Sequence, residues 1–301
     1  MFLFFVNDFL IPGLVVGSIY ALGAIGVSLV FGNLRFANFA HGAMMTAGAY
    51  ASLSLVQLTG LPILVVMPVA MVLTGLLSVG LDRLFLRPFR AAPSIVSLIA
   101  SFGIALMLRS AIQLGFGVQM ETFGGGIQLP MTILDTIRIA PKHLWIVGAA
   151  VVLMLALHLM LTRTKMGKAM RAMADSPELA RLTGIDTERV IFATWMIAGG
   201  LAAAAGTLLG MDTQVQPLMG FNILLPVFAA AILGGIGQPY GAMAGGLIIG
   251  VAQEMVAFPW VGGEPLIAPS YKEGVAFALM VLILIFRPSG LFRGRVIEAG
   301  S

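Results

Sequence analysis

Leu161–Val190 reads L-T-R-T-K-M-G-K-A-M-R-A-M-A-D-S-P-E-L-A-R-L-T-G-I-D-T-E-R-V and is the longest polar interval in a chain otherwise made of apolar runs. It holds ten of the thirty charged residues, six basic and four acidic. It carries its own helix punctuation: Ser176 suits an N-cap, Pro177 the first helical position, and Gly184 the exit. Leu179, Ala180 and Leu182 give the short helix between them an apolar side. A compact, amphipathic, mixed-charge unit set between apolar runs predicts a socket for a partner outside the bilayer.

The flanking runs decide the fold class. The 301 residues are 59% hydrophobic and 10% charged, with mean hydropathy +1.02, whereas soluble domains carry about 25% charge. A spanning helix needs about 20 apolar residues. The expectation is an all-α polytopic transmembrane bundle of about 8–10 spans. One transmembrane domain takes up residues 1–301, with residues 162–189 as a cytoplasmic loop inside it, and no soluble domain fits beside the spans. The 37 glycines suit close helix packing in lipid. The absence of Cys excludes disulfides and thiolate sites. The first apolar run lacks a basic n-region and a small-residue cleavage site, so it reads as a retained span.

Nine spans are expected near Phe9–Phe31, Ala43–Leu58, Ile63–Leu81, Ser94–Phe116, Leu144–Leu161, Val190–Met211, Phe221–Leu233, Ala242–Phe258 and Val275–Phe286. The connections alternate in charge. One side carries Arg35, Arg83, Arg87, Arg90, the six basic residues from Arg163 to Arg189, and Arg287, Arg293 and Arg295. The other carries Arg138, Lys142 and Lys272. By the positive-inside rule the basic side is cytoplasmic, the N-terminus periplasmic and the C-terminus cytoplasmic. The net charge of +4 thus sets orientation and does not imply nucleic acid. H-G-A-M-M-T-A-G-A-Y (His41–Tyr50) and Y-G-A-M-A-G-G-L (Tyr240–Leu247) share a G-A-M step after a broken segment, a likeness too short to establish duplication.

No G-x-x-x-x-G-K-[ST] occurs, so the chain does not bind ATP by a P-loop. No H-E-x-x-H or G-x-S-x-G occurs, and His41, His143 and His158 are too far apart to imply a metal site. Arg109 lies inside the fourth run, where a charge is costly and marks function by default; pairing with a carboxylate or snorkelling are its bland alternatives. Gln113 shares its face. Gln253 and Glu254 lie in the eighth run. Asn38 and His41 sit in the interruption Gly32–Gly42, where exposed backbone must line a cavity or be buried in protein. Asn38, His41, Arg109, Gln113 and Gln253 are the candidates for the path or its inner gate. Gly234, Gly235 and Gly237 read as a helix-packing notch or a hinge.

From Arg171 onward, R-A-M-A-D-S-P-E-L-A-R-L-T-G-I resembles the cytoplasmic loop of the high-affinity branched-chain amino acid permeases, membrane subunits of ABC importers. Further pieces follow in family order: N-F-A-H-G (Asn38–Gly42), A-G-x-L-x-G (Ala205–Gly210), L-G-G-I-G-x-x-x-G-A-M-x-G-G (Leu233–Gly246), Tyr271-Lys272-Glu273, and R-P-S-G-L-F-R-G (Arg287–Gly294). Ala43 departs from the pattern, since many relatives have an acidic continuation there. The resemblance implies an inner-membrane permease subunit that is not itself an enzyme and binds no cofactor. It would move branched-chain or related hydrophobic amino acids inward. Two separate ATP-binding subunits, holding ATP and Mg, would drive it. A second permease subunit, identical or homologous, and a periplasmic substrate-binding protein complete the assembly. It implies ATPase docking by Arg171, Ala172, Asp175, Ser176, Pro177, Glu178, Leu179, Ala180, Leu182 and Gly184. A family relative carrying urea, amides or aromatic acids is the alternative. A secondary transporter would use embedded acids, which are nearly absent, and an intramembrane enzyme would need a paired nucleophile and base, which the sequence does not offer.

Overall fold

The apolar runs fold as helices in a computed structural model that describes residues 6–124, 131–133, 137–258, 267–268 and 271–292. Arg293, Gly294 and Arg295, which enter the charge and motif readings, lie outside the described residues. Among the described residues, six helices are long and apolar enough to cross a membrane. They are α1 (Ile11–Leu34), α3 (Ile63–Leu81), α4 (Ser94–Phe116), α5 (Pro141–Arg163), α8 (Thr187–Asp212) and α11 (Pro239–Ala257). Four more helices accompany them, shorter or less apolar than these six: α2 (Ala40–Thr59), the short α9 (Met219–Asn222) continuing into α10 (Leu224–Gly234), and α12 (Lys272–Phe286). Each expected span coincides with one of these helices, and the α9–α10 pair supplies the seventh. The polar interval forms two helices, α6 (Lys165–Asp175) and α7 (Pro177–Leu182). One departure from an all-helical chain is a small antiparallel hairpin, β1 (Met131–Ile133) with β2 (Ile137–Ile139), in the Gly-rich connection before α5.

Helices α1 and α8 form the centre. The apolar stretch of α1 is 89% buried and that of α8 78%, against 22% for α5. Small residues explain the difference. A Cβ at Gly246 would lie 2.4 Å from the Ala21 Cα, and one at Gly250 would lie 2.3 Å from the Gly17 Cα. The Gly17-xxx-Ala21 ridge of α1 therefore meets the Gly246-xxx-Gly250 ridge of α11 at backbone distance, a small-xxx-small crossing. Helix α2 approaches α8 in the same way. A Cβ at Gly48 would lie 2.2 Å from the Ala203 Cα, and one at Gly206 would lie 1.9 Å from the Met45 carbonyl oxygen.

Polar links reinforce these contacts, and α8 takes part in most of them. Asn33 Nδ2 donates to Thr194 Oγ1 at 3.2 Å. Ser52 Oγ and Thr207 Oγ1 share a hydrogen bond of 2.7 Å. Ser78 Oγ donates to the Trp195 carbonyl at 2.6 Å. In lipid no water competes for these groups, so each link also fixes which helices are neighbours.

The connections sort to the two ends of the bundle as the charge pattern predicts. At one end, Arg90 bonds Glu188 at 2.8 Å, Gly32 packs on Gly237, and the Leu291 amide donates to the Leu233 carbonyl at 2.8 Å. The first joins the connection after α3 to the start of α8, the second the end of α1 to the connection after α10, and the third the tail after α12 to the end of α10. At the other end, Lys142 and His143 reach Asp212 at 3.5 and 3.4 Å, and Glu121 pairs with Val215 through two backbone hydrogen bonds.

Candidate functional site

The polar interval is built by capping. Thr164 Oγ1 accepts from the Gly167 amide at 3.0 Å and starts α6. Met170 and Met173 of that helix are buried, while Lys165, Lys168 and Arg171 are exposed. Ser176 Oγ accepts from the Leu179 amide at 3.4 Å, and Pro177 takes the first position of α7. Gly184 then adopts φ +82°. The Ile185 amide donates to the Ala180 carbonyl and the Gly184 amide to that of Arg181, at 3.1 and 3.0 Å. That pair of bonds is a Schellman closure, and it requires the left-handed residue that Gly184 supplies. Asp186 Oδ1 accepts from the Arg189 amide at 3.2 Å and caps α8 immediately afterwards. A six-residue helix does not persist alone in water; caps at both ends and the buried Ala180 hold this one.

The three apolar residues of α7 do not share a side. Ala180 is 3% exposed and packs inward, whereas Leu179 and Leu182 are 62% and 83% exposed. This corrects the expected single apolar face: α7 anchors through alanine and presents two leucines outward. Glu178, Arg181 and Gly184 are exposed beside them, as are Arg171 and Asp175 at the end of α6; Ala172, Ser176 and Pro177 are half-buried. Nine of the ten expected docking residues thus reach the surface at the basic end, and Ala180 does not. Helix α6 itself was not foreseen; Thr164, three residues before Gly167, was its available start signal.

Beneath α7 lies a polar cavity of about 160 Å³, lined by Asn33, Asp82, Arg90, Ser97, Pro177 and Arg181 among others. Arg90 joins Asp82, at the end of α3, to Glu188, at the start of α8. Asp82 is buried and Glu188 exposed. Side chains of α7 therefore share one cavity with the ends of α1, α3 and α4.

The expected path residues separate into three places. Asn38 and His41 are buried in the core. Asn38 Oδ1 accepts from the Ala40 amide at 3.1 Å, helping to start α2. His41 fills the notch at Gly26, where a Cβ would lie 2.5 Å from its Cε1. Gln253 is buried in the contact of α11 with α12, donating to the Lys272 carbonyl at 2.9 Å. Beside it Lys272 pairs with Glu254 at 2.7 Å. Arg109 and Gln113 stand apart from these on α4, both half-buried. Arg109 borders a small pocket with Phe39, Thr46, Phe102, Pro217 and Phe221. His158 shares a hydrogen bond of 3.0 Å with the Tyr240 hydroxyl.

A cavity of about 980 Å³ runs between α3 and α5 and is lined by Leu64, Met67, Met71, Leu144, Trp145 and Leu153 among others. Its walls are almost wholly hydrocarbon and offer no charge to a zwitterion.

A family model described as branched-chain amino acid transport system / permease component matches residues 9–284. The chain is 33% identical to the high-affinity branched-chain amino acid transport system permease protein BraD of Pseudomonas aeruginosa, over 94% of each chain. It is also 33% identical to the protein of the same description, LivH, from Escherichia coli K12, over 96% of each. In fold it is similar to a chain of PsaBC from Streptococcus pneumoniae in complex with a Fab, with TM-score 0.50 and 13% identity, covering 92% of this chain and 91% of that one.

Proposed function

The chain belongs to the branched-chain amino acid permease-component family, and on that premise we propose that it is the membrane subunit of an ABC importer for branched-chain or related hydrophobic amino acids. The observation that carries the reading is α7: a helix fixed at both ends, bordering a cavity shared with the ends of three membrane helices, with two leucines turned outward. Hydrocarbon exposed on a rigid element at the basic end of a bundle fits a partner that covers it. ATP hydrolysis would take place in two separate subunits docked on α6 and α7. Closing those subunits moves the membrane helices only through a stiff connection, and the capped α7 provides one. The basic end faces the cytoplasm, so transport runs inward from a periplasmic substrate-binding protein. A second permease subunit completes the path between the two.

The test is reconstitution of the complex in proteoliposomes with its ATP-hydrolysing subunits and loaded binding protein. Wild-type complex takes up leucine only with ATP inside the cytoplasmic compartment. Ala172→Arg and Gly184→Pro leave hydrolysis by the isolated ATPase unchanged and remove uptake. Leucine uptake by this chain alone, driven by an ion gradient, would overturn the proposal.

A further inference from the structure

Arg109 is the one charged side chain in the interior of a membrane-length helix that forms no hydrogen bond or ion pair with any described residue. Its Nε is buried and unpartnered. Glu254, three residues before the end of α11 at Ala257, is instead neutralised by Lys272. Arg109 stands seven residues before the end of α4 at Phe116, about 10 Å along the helix, which places it within the hydrocarbon layer. A guanidinium held there without a counter-charge attracts an anion.

The surroundings specify the rest of the ligand. Phe39, Phe102 and Phe221 border the same pocket as Arg109. Phe39 and Phe102 meet edge-on with centroids 6.3 Å apart. Thr46, at the wall, accepts the Gly220 amide at 3.1 Å and so pins the start of α9 beside the site. The enclosed space is about 20 Å³, room for one water-sized group, so a carboxylate oxygen enters and the remainder of the solute stays outside. Phe102, Leu106 and Phe221 at the rim are 42%, 45% and 49% exposed and offer that remainder an apolar rest. We propose that Arg109 is the point on this subunit that receives the carboxylate of the transported amino acid, with Phe39, Phe102 and Phe221 taking its hydrophobic side chain. This rests on the function proposed above. A lipid phosphate is the other source of an anion; the aromatic walls and the depth below the helix end favour the solute.

The experiment uses the complete complex in proteoliposomes, saturated with leucine-loaded binding protein, and records leucine uptake per ATP hydrolysed. Arg109→Gln and Arg109→Met break no hydrogen bond or ion pair with a described residue, and both keep a long side chain for packing, so assembly and melting temperature stay near the wild-type values. Uptake per ATP is expected to fall about ten- to hundredfold in both, with the half-saturating concentration of binding protein unchanged. Phe221→Ala lowers uptake of leucine more than that of alanine. The same measurement in vesicles of zwitterionic lipid alone leaves the wild-type complex unaffected. Wild-type uptake per ATP in Arg109→Gln overturns the inference. So does loss of wild-type uptake to the Arg109→Gln level when anionic lipid is removed, which assigns the site to lipid. If the wild-type complex itself takes up no leucine, the proposed function fails instead, so the two failures are distinguishable.

Discussion

Replacing Leu179 and Leu182 together by alanine is expected to weaken binding of the ATP-hydrolysing subunit while leaving this chain as stable as before. The two side chains are 62% and 83% exposed, so truncating them removes little internal packing. Each truncation deletes three carbons, about 2.4 kcal/mol if fully transferred from water to an apolar site. Scaled by exposure, complete covering by a partner is worth about 1.5 and 2.0 kcal/mol, and half covering is worth about half that. The double variant therefore loses about 20- to 400-fold in affinity. Alanine keeps the helix-forming preference, so the capped geometry survives. The assay is a titration of purified ATPase subunit onto the immobilised permease in detergent, with thermal melting of the permease as control. An unchanged dissociation constant would refute the docking role of α7. A large drop in melting temperature would refute the claim that these leucines face outward.

Further outcomes follow from other contacts. Gly206→Ala forces α2 and α8 apart, because its Cβ would sit 1.9 Å from the Met45 carbonyl oxygen; a loss of about 3 kcal/mol is expected. Gly103→Ala, with nothing within 4 Å of its Cβ, keeps the wild-type melting temperature, and equal melting of the two variants would contradict the close crossing. Ser176→Ala removes the α7 cap at a cost of about 1 kcal/mol and raises exchange of the Leu179 amide about fivefold in hydrogen-exchange mass spectrometry. Arg90→Ala strands Asp82, whose side chain is 5% exposed, and destabilises by about 3 kcal/mol; adding Asp82→Asn restores part of the melting temperature, and no restoration would argue against the pair.

Apolar runs and cap residues were enough to place the helices and the start and end of α7, because each of those signals is local. Which helices lie inside was not legible. Lipid is as apolar as the core, so hydropathy does not separate the central α1 from the peripheral α5. What separates them is which glycine meets which backbone, as Gly250 meets Gly17, and that is a property of pairs. The opposed directions of Ala180 and Leu182 were hidden for a related reason. A six-residue helix is too short for periodicity to reveal its inner face. Arg109 stood out in the sequence as an embedded charge; its lack of a partner and its ring of phenylalanines needed the fold.

The hydrogen bonds that converge on α8 also bear on how the chain is made. Asn33, Ser52 and Ser78 find their distant partners 161, 155 and 117 residues further on. During synthesis, α1, α2 and α3 emerge and enter the bilayer long before α8 exists. Two of the three groups have a temporary solution within their own helix: Asn33 also donates to the Leu29 carbonyl and Ser78 to that of Gly75. Local bonds of this kind let a helix wait in lipid without exposing a bare polar group. A nascent chain released before Thr187 lacks the α8 side of all three links. The links of α1, α2 and α3 close when the eighth helix arrives, and the α1–α11 crossing closes later still.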